Sequence, residues 1–396
     1  MKLEQLMQDW NKDSKALVAV HGLERENLPR IPFSSPIMNY QTYGGLPRKR
    51  VIEFFGPESS GKTTSALDIV KNAQFVFQEE WEIMQEELKA KLEELQSAKG
   101  SNKTKIKEIQ MKLDAHKEPL KIVYFDLENT LDTDWARKLG VDVDNLWIVR
   151  PEHNSAEEIL QYVIEMYETG EVGLIVLDSL PYMVSQNLID EELTKKAYAG
   201  ISAPLTEFSR KVTPYLTKYN AIFLGINQIR EDLSSMYSTY STPGGKMWKH
   251  ACAVRIKFRK GDFIDEKGEK VNRTARNPAG NMVEAFVEKT KAFKPDRKLV
   301  QYTLSYHEGI QVESDLVDVA IEYGFVAKTG AWFSILDPDT GELLQDADEE
   351  DLKFQGKAKI VQRLREDDEV FDNLMSLAHA AITNAEQQLT KTTLLA

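Results

Sequence analysis

The run Gly56-Pro57-Glu58-Ser59-Ser60-Gly61-Lys62-Thr63 has the spacing G-x-x-x-x-G-K-[ST]. Glycines at both ends let the backbone curl until its N–H groups point inward, and such a nest binds phosphate oxygens. The lysine after the second glycine reaches the β- and γ-phosphates, and the next hydroxyl binds Mg²⁺. An apolar strand, Val51 to Phe55, precedes the run, and a helix is expected from Thr64. The phosphates would therefore meet a helix N-terminus. A chance glycine-rich turn would lack this strand-before, helix-after setting. The segment predicts a P-loop nucleoside triphosphate site.

Two carboxylates stand where such a site needs them. Asp178 ends the apolar run Leu174 to Leu177, the position of a second Mg²⁺-associated group. Glu128 follows the strand-like run Lys121 to Phe125, where a carboxylate can orient and activate water. Taken alone, each reads equally well as an ordinary strand-end or loop acid.

The surrounding pattern supplies elements to hold these groups. Val51–Phe55, Lys121–Phe125, Leu174–Leu177 and Ala221–Ile226 are short apolar runs separated by helical segments. That alternation predicts an α/β fold with a mainly parallel sheet. Residues 76–118 interrupt it with two charged helices around Gly100-Ser101-Asn102, read as an inserted antiparallel hairpin. It is either a solvated structural arm or a docking arm. Leu3, Leu6, Met7 and Trp10 fall at helical spacing in an N-terminal element that packs on its own domain or on a neighbour. The expected organisation is an N-terminal helical element at 1–37, a core at 38–311, a small α/β C-terminal domain at 312–386 and a polar tail at 387–396.

The bulk composition sets limits. A chain of 396 residues that is 42% hydrophobic has material for two or three folded units. Its net charge of -13 does not by itself suggest nucleic acid. Local charge does: Lys246, Lys249, Arg255, Lys257, Arg259 and Lys260 occur within a stretch free of acids, whereas Asp346 to Asp351 is acidic. Cys252 is a single thiol, which points to a reducing, cytoplasmic setting. Neither a signal core nor a membrane-length apolar run is visible.

Several motifs in order resemble the bacterial RecA recombinases. They are Gly44-Gly45-Leu46-Pro47, the P-loop extended through Thr64, the segment Asp132 to Asp142, Asn227-Gln228-Ile229-Arg230, Gly244-Gly245 with the basic run after it, Gly330-Ala331-Trp332-Phe333 and Gln355-Gly356-Lys357. The resemblance covers residues 38–375 apart from the hairpin. It implies a RecA-like core that uses ATP and Mg²⁺. Gly56 to Thr64 would hold the nucleotide, with Asp132 and Trp135 at adenine, and Thr63 and Asp178 would serve the metal. Glu128 would be the general base, and Gln228 would sense the γ-phosphate. Lys289 and Lys291 would reach a neighbour's ATP, which requires a head-to-tail filament. From the residues alone, those two are ordinary alternating strand lysines. Single-stranded and duplex DNA would lie against loops at 186–200 and 228–245, with Arg230, Leu233, Gly244, Gly245, Lys246 and Lys249 as contacts. Loader or single-strand-binding proteins would assist.

There are departures from the family pattern. Trp135 replaces the usual tyrosine, Glu231-Asp232 and Ala203 stand where basic residues are commoner, and His250 replaces an apolar aromatic residue. The hairpin has no counterpart in ordinary bacterial members. These features imply a divergent member, and a phage genome is one place such a member would occur. The rival readings are a RecA-fold helicase motor, a clock-type regulator and a nucleotide-dependent assembly protein. Gly44 to Pro47, the lysine pair and the second loop discriminate against the helicase and clock-type readings, and a strand-exchange assay separates the assembly protein.

Overall fold

The computed structural model describes residues 3, 5, 7, 28–97, 103–190, 200–232, 239–266, 268–272, 274–346 and 349–392. The expectation for 1–37 thus falls largely outside the described residues, as do Leu233 and most of the first loop.

Two short strands, β1 (Arg30–Ile31) and β2 (Leu46–Pro47), pair around helix α1 (Pro36–Thr42). Ser35 caps this helix and also donates to Asp315 Oδ2 at 2.5 Å. Strand β3 (Arg50–Gly56) enters the P-loop, and helix α2 (Lys62–Ser97) leaves it. This helix is one continuous rod of 36 residues, about 54 Å long at 1.5 Å per residue. The P-loop helix and the first arm of the expected hairpin are therefore a single element. The second arm is α3 (Lys103–Ala115). Trp81 Nε1 and Gln85 Nε2 both donate to His116 O, at 2.9 and 2.7 Å, and tie the arms together. Arg48, buried on Phe77, donates to both carboxylate oxygens of Glu80 at 2.7 Å and fixes the arm's base.

The chain then lays down β4 (Lys121–Asp126), α4 (Thr133–Lys138), β5 (Leu146–Val149), α5 (Ala156–Glu168), β6 (Val172–Asp178), α6 (Gln186–Ile189), α7 (Ser202–Lys218) and β7 (Ile222–Gln228). A two-stranded ribbon, β8 (Arg230–Asp232) with β9 (Thr239–Ser241), leads to α8 (Gly245–Ala251). Strands β10 (Val254–Ile264), β11 (Lys270–Val271), β12 (Gly280–Thr290), β13 (Leu299–Ser305) and β14 (Gly309–Ile310) follow. The main sheet has the order β14-β13-β12-β10-β3-β7-β6-β4-β5. It is parallel from β10 through β5 and antiparallel beyond β10. The expected α/β fold is thus the one observed. Its four central strands are buried along nearly their whole length because helices cover both faces.

The C-terminal part comprises α9 (Val312–Glu322), β15 (Val326–Thr329), β16 (Trp332–Ile335), β17 (Lys353–Gln355), α10 (Lys357–Glu366) and α11 (Asp368–Thr392). Leu316, Val319, Leu374 and Ile382 belong to the same hydrophobic cluster as Ile52 and Phe54 on one face of the main sheet. Each such fully buried side chain contributes about 1.5–3 kcal/mol. The last helix continues past Gln387 to Thr392, where a polar tail was expected.

Candidate functional site

In an open parallel sheet the loops beyond the strand C-termini form the binding edge. Here that edge carries Gly56 of β3, Asp126 of β4, Asp178 of β6 and Gln228 of β7. Strand order alone thus gathers residues scattered over more than a hundred positions.

The P-loop takes its curl from Gly61 at φ +89 and Ser59 at φ 55. Lys62 is buried, and its Nζ donates to Gly56 O at 3.1 Å and Pro57 O at 2.6 Å. Burial pulls this ammonium below the ordinary lysine range, while Asp178, Glu128 and Glu58 oppose that shift. Thr63 Oγ1 donates to Asp178 Oδ2 at 2.9 Å, and Tyr124 OH donates to the same oxygen at 2.7 Å. Burial raises the Asp178 carboxyl despite these donors. A hydroxyl beside a carboxylate, both hard oxygen donors, suits Mg²⁺ bound partly through phosphate oxygens. Among the described residues no cluster of three or more His, Cys, Asp or Glu forms an all-protein metal cage.

Glu128 lies on the loop after β4. Asp126 shapes this loop from its base: its carboxylate accepts Thr130 N at 3.1 Å, Leu131 N at 3.2 Å and Arg150 Nε at 2.9 Å. Asn129 adopts φ 53, a conformation that asparagine tolerates better than most residues. One carboxylate oxygen of Glu128, Oε1, accepts Ser179 Oγ at 2.5 Å and Gln228 Nε2 at 3.2 Å. Three strand ends, β4, β6 and β7, thereby meet at one carboxylate.

Asp132 caps α4 by accepting Asp134 N at 2.9 Å and Trp135 N at 3.0 Å. Asp132 and Trp135 line an open cleft of about 620 Å³ with Asp134, Arg137 and Lys138. Trp135 is half-buried, which leaves an indole face for stacking. Gln74 of α2 joins this region to the P-loop helix through paired hydrogen bonds with the backbone of Asp142, at 2.7 and 3.0 Å.

Lys289 and Lys291 lie elsewhere. Lys289 Nζ donates to Lys249 O and His250 O, and Lys291 Nζ donates to His250 O at 2.6 Å. Both ammoniums therefore sit on the last carbonyls of α8, a favourable place for a cation. Phe258 is paired with Ala285, and Lys257 with Phe55, so Ala285 is nearly level with Gly56. Across a bulge in β12, Lys289 pairs with Arg255 and so lies level with Glu53, three residues from Gly56, on the order of 10 Å along the sheet and ~10 Å across it. That is farther than a lysine side chain extends, so the chain's own P-loop is out of reach.

Of the expected nucleic-acid contacts, Gly244 (φ +104) and Gly245 begin α8, Lys246 is exposed and Lys249 half-buried. Arg230 is described only through its backbone in β8, and Leu233 lies outside the described residues. The basic run divides in a way its sequence did not suggest. Arg255 and Lys257 are each 4% exposed: Arg255 pairs with Glu53 and Glu288, and Lys257 lies over the Tyr240 ring. Sequence reading also passed over Asp126, Ser179 and Glu53. Only Glu53 left a signal, as a charge within the apolar strand Val51–Phe55.

A parallel sheet with a P-loop, a hydroxyl hydrogen-bonded to a strand-end carboxylate and a held glutamate is the architecture of the P-loop nucleoside triphosphatase class. A family model described as the RecA N-terminal domain matches residues 3–79 and 88–311, its break falling within the long helix α2. The protein named Protein RecA in Ruminococcus albus is 30% identical over 300 residues, which is 76% of this chain and 62% of that protein. Its namesake in Streptomyces ambofaciens is 30% identical over 357 residues, or 88% and 82%, and that of Clostridium acetobutylicum 32% over 306 residues, or 77% and 72%. The chain belongs to the RecA family, as a divergent member. No helix among the described residues is long and apolar enough to cross a membrane.

Proposed function

We propose that the chain is a DNA-dependent ATPase that coats single-stranded DNA as a head-to-tail filament and carries out homologous pairing and strand exchange with a duplex. The observation that carries this reading is the contact of Gln228 with Glu128. Gln228 is also the first residue of the second expected DNA loop. A shift of that loop on binding a strand changes how the glutamate is held.

In this mechanism the P-loop amides and Lys62 bind and orient the triphosphate. Thr63 and Asp178 would hold Mg²⁺, which would supply shielding of phosphate charge when bound. Glu128 takes a proton from the attacking water through Oε2, while Ser179 and Gln228 fix Oε1. Trp135 and Asp132 receive adenine. Lys289 and Lys291 leave α8 and neutralise charge on the ATP of the adjacent protomer, as an arginine finger does. The strand register, which keeps them from their own P-loop, supports action in trans. Lys246 and Lys249 neutralise DNA phosphates, with Arg230, Leu233, Gly244 and Gly245 completing that surface. The chain divides into an N-terminal element at 1–37, a core at 38–311 and a C-terminal part from 312 that includes the whole last helix, with single-strand-binding or loader proteins as helpers and the cytoplasm as the setting.

The direct test mixes circular single strands with homologous linear duplex and ATP. Joint molecules are expected with the parent protein. Glu128→Gln should lower turnover by about 10²–10⁴-fold while ATP still binds. ATP hydrolysis and filaments without joint molecules would favour the assembly-protein reading.

The lysine pair also sets a pH dependence. Burial first, and then the Lys291 cation, pull Lys289 down to about 8; Arg255 acts in the same direction and Cys252 against it. Lys289 is thus charged below pH ~8 and neutral above it. From there to the ordinary lysine value the unfolded chain binds more protons, so this group makes folding more favourable as pH rises. Its role toward phosphate runs the opposite way. DNA-stimulated kcat/KM for ATP should fall between pH 7 and pH 9, and Lys289→Arg should move the fall to higher pH. A profile identical in parent and Lys289→Arg would contradict this role.

A further inference from the structure

A carboxylate inside an apolar strand must find donors or remain uncharged. Glu53 is fully buried in β3, three residues before the P-loop glycine. It has donors on three other elements. Its Oε1 accepts Asn227 Nδ2 at 2.7 Å and Trp248 Nε1 at 2.8 Å, and its Oε2 accepts Arg255 Nε at 2.5 Å.

Each donor belongs to a segment with a part in the proposed function. Asn227 also accepts Gln228 N at 3.0 Å and donates to Pro243 O at 2.9 Å, so it joins the glutamine beside Glu128 to the end of the second DNA loop. Trp248 is the fully buried residue of α8, the helix that starts at that loop's glycines. Arg255 reaches Thr242 Oγ1 at 3.3 Å and Glu288 Oε1 at 2.5 Å. Glu288 precedes Lys289, and it also accepts Tyr240 OH of β9 at 2.5 Å.

We propose that Glu53 is a positioning residue that couples strand binding to ATP turnover, by tying the Gln228 strand end, the base of the second DNA loop and the strand bearing Lys289 to one buried charge. This rests on the reading of those segments given above. A buried ion pair alone is weak support for such a role, because many can be replaced by apolar packing. Here the distribution of the donors carries the inference. In a low-dielectric interior no donor can move off without leaving charge unpaired. The donors therefore shift together, and a displacement of the loop reaches Gln228. The glutamate touches no phosphate position and acts only through these neighbours.

The test compares Glu53→Gln and Trp248→Phe with the parent at saturating ATP, with and without single-stranded DNA. Glutamine keeps the shape of the side chain but turns an amide toward donors that need an acceptor. Phenylalanine retains the ring and removes only the Nε1 donor. DNA-free kcat and the KM for ATP should stay within about twofold of parent in both. The DNA-stimulated rate should fall about tenfold in Glu53→Gln and less in Trp248→Phe. If Glu53→Gln does not fold, Trp248→Phe decides the matter alone. Parental stimulation in the folded variants, or a parallel loss of the DNA-free rate, would overturn the coupling role. A parent protein that DNA does not stimulate at all overturns the proposed function, and the coupling with it.

Discussion

Lys62→Ala is expected to reduce ATP turnover on single-stranded DNA by about 10³-fold or more, equivalent to roughly 4 kcal/mol of transition-state stabilisation. The side chain is buried at the mouth of the P-loop, with its ammonium held by Gly56 O and Pro57 O. Those carbonyls keep it extended along the loop, aimed where a γ-phosphate would replace them. Alanine removes the charge and leaves part of the nest without its donor. The check is steady-state hydrolysis, together with circular dichroism to establish that the variant is folded. Turnover close to parental in a folded Lys62→Ala protein would remove the P-loop assignment.

The second large effect concerns residues that never meet their own nucleotide. Lys289→Ala and Lys291→Ala should each lower DNA-dependent turnover by about 10²–10³-fold while ATP affinity of the isolated protomer stays near parental. The register of β12 against β10 and β3 keeps both amines from the P-loop of the same chain. In the resting protomer they lie on the C-terminal carbonyls of α8. Lys291→Ala also removes a cation from that helix end, at about 0.3–1 kcal/mol, whereas Lys289→Ala removes an ammonium that burial and Lys291 already disfavour. A modest drop in melting temperature is therefore expected for Lys291→Ala only, beside a much larger loss of turnover in both. Equilibrium binding of a fluorescent ATP analogue under dilute conditions, set against hydrolysis on DNA, separates the two. Weakened binding in the dilute protomer would mean that the lysines serve their own site.

Much of the arrangement of the candidate nucleotide site was legible because its signals are local. The P-loop spacing, the acid at the end of an apolar run and the breaks between strands each fit within a short window. The strands at Val51, Lys121, Leu174 and Ala221 appeared where their apolar runs indicated. The join between the P-loop helix and the hairpin was not legible. Composition changes sharply near Gln78, but neither glycine nor proline stands between Lys62 and Ser97. The change marks where the helix leaves the core, not where it ends. The interior partners were hidden for a different reason. Ser179 meets Glu128 only because β4 and β6 are neighbours. Arg255 looked like one more cation in a basic run, and its partner Glu53 lies 202 positions away. Long-range pairing of this kind leaves no periodic trace.

In the proposed mechanism one ATP is completed by two protomers, and mixing two inactive variants tests that directly. Glu128→Gln keeps its lysines and loses its base; Lys289→Ala keeps its base and loses a lysine. In a random equimolar filament about a quarter of the interfaces join an intact base to an intact lysine pair. DNA-dependent hydrolysis should then recover to about a quarter of the parental rate. Hydrolysis that stays at the level of the separate variants, in filaments shown to contain both, would contradict the shared site.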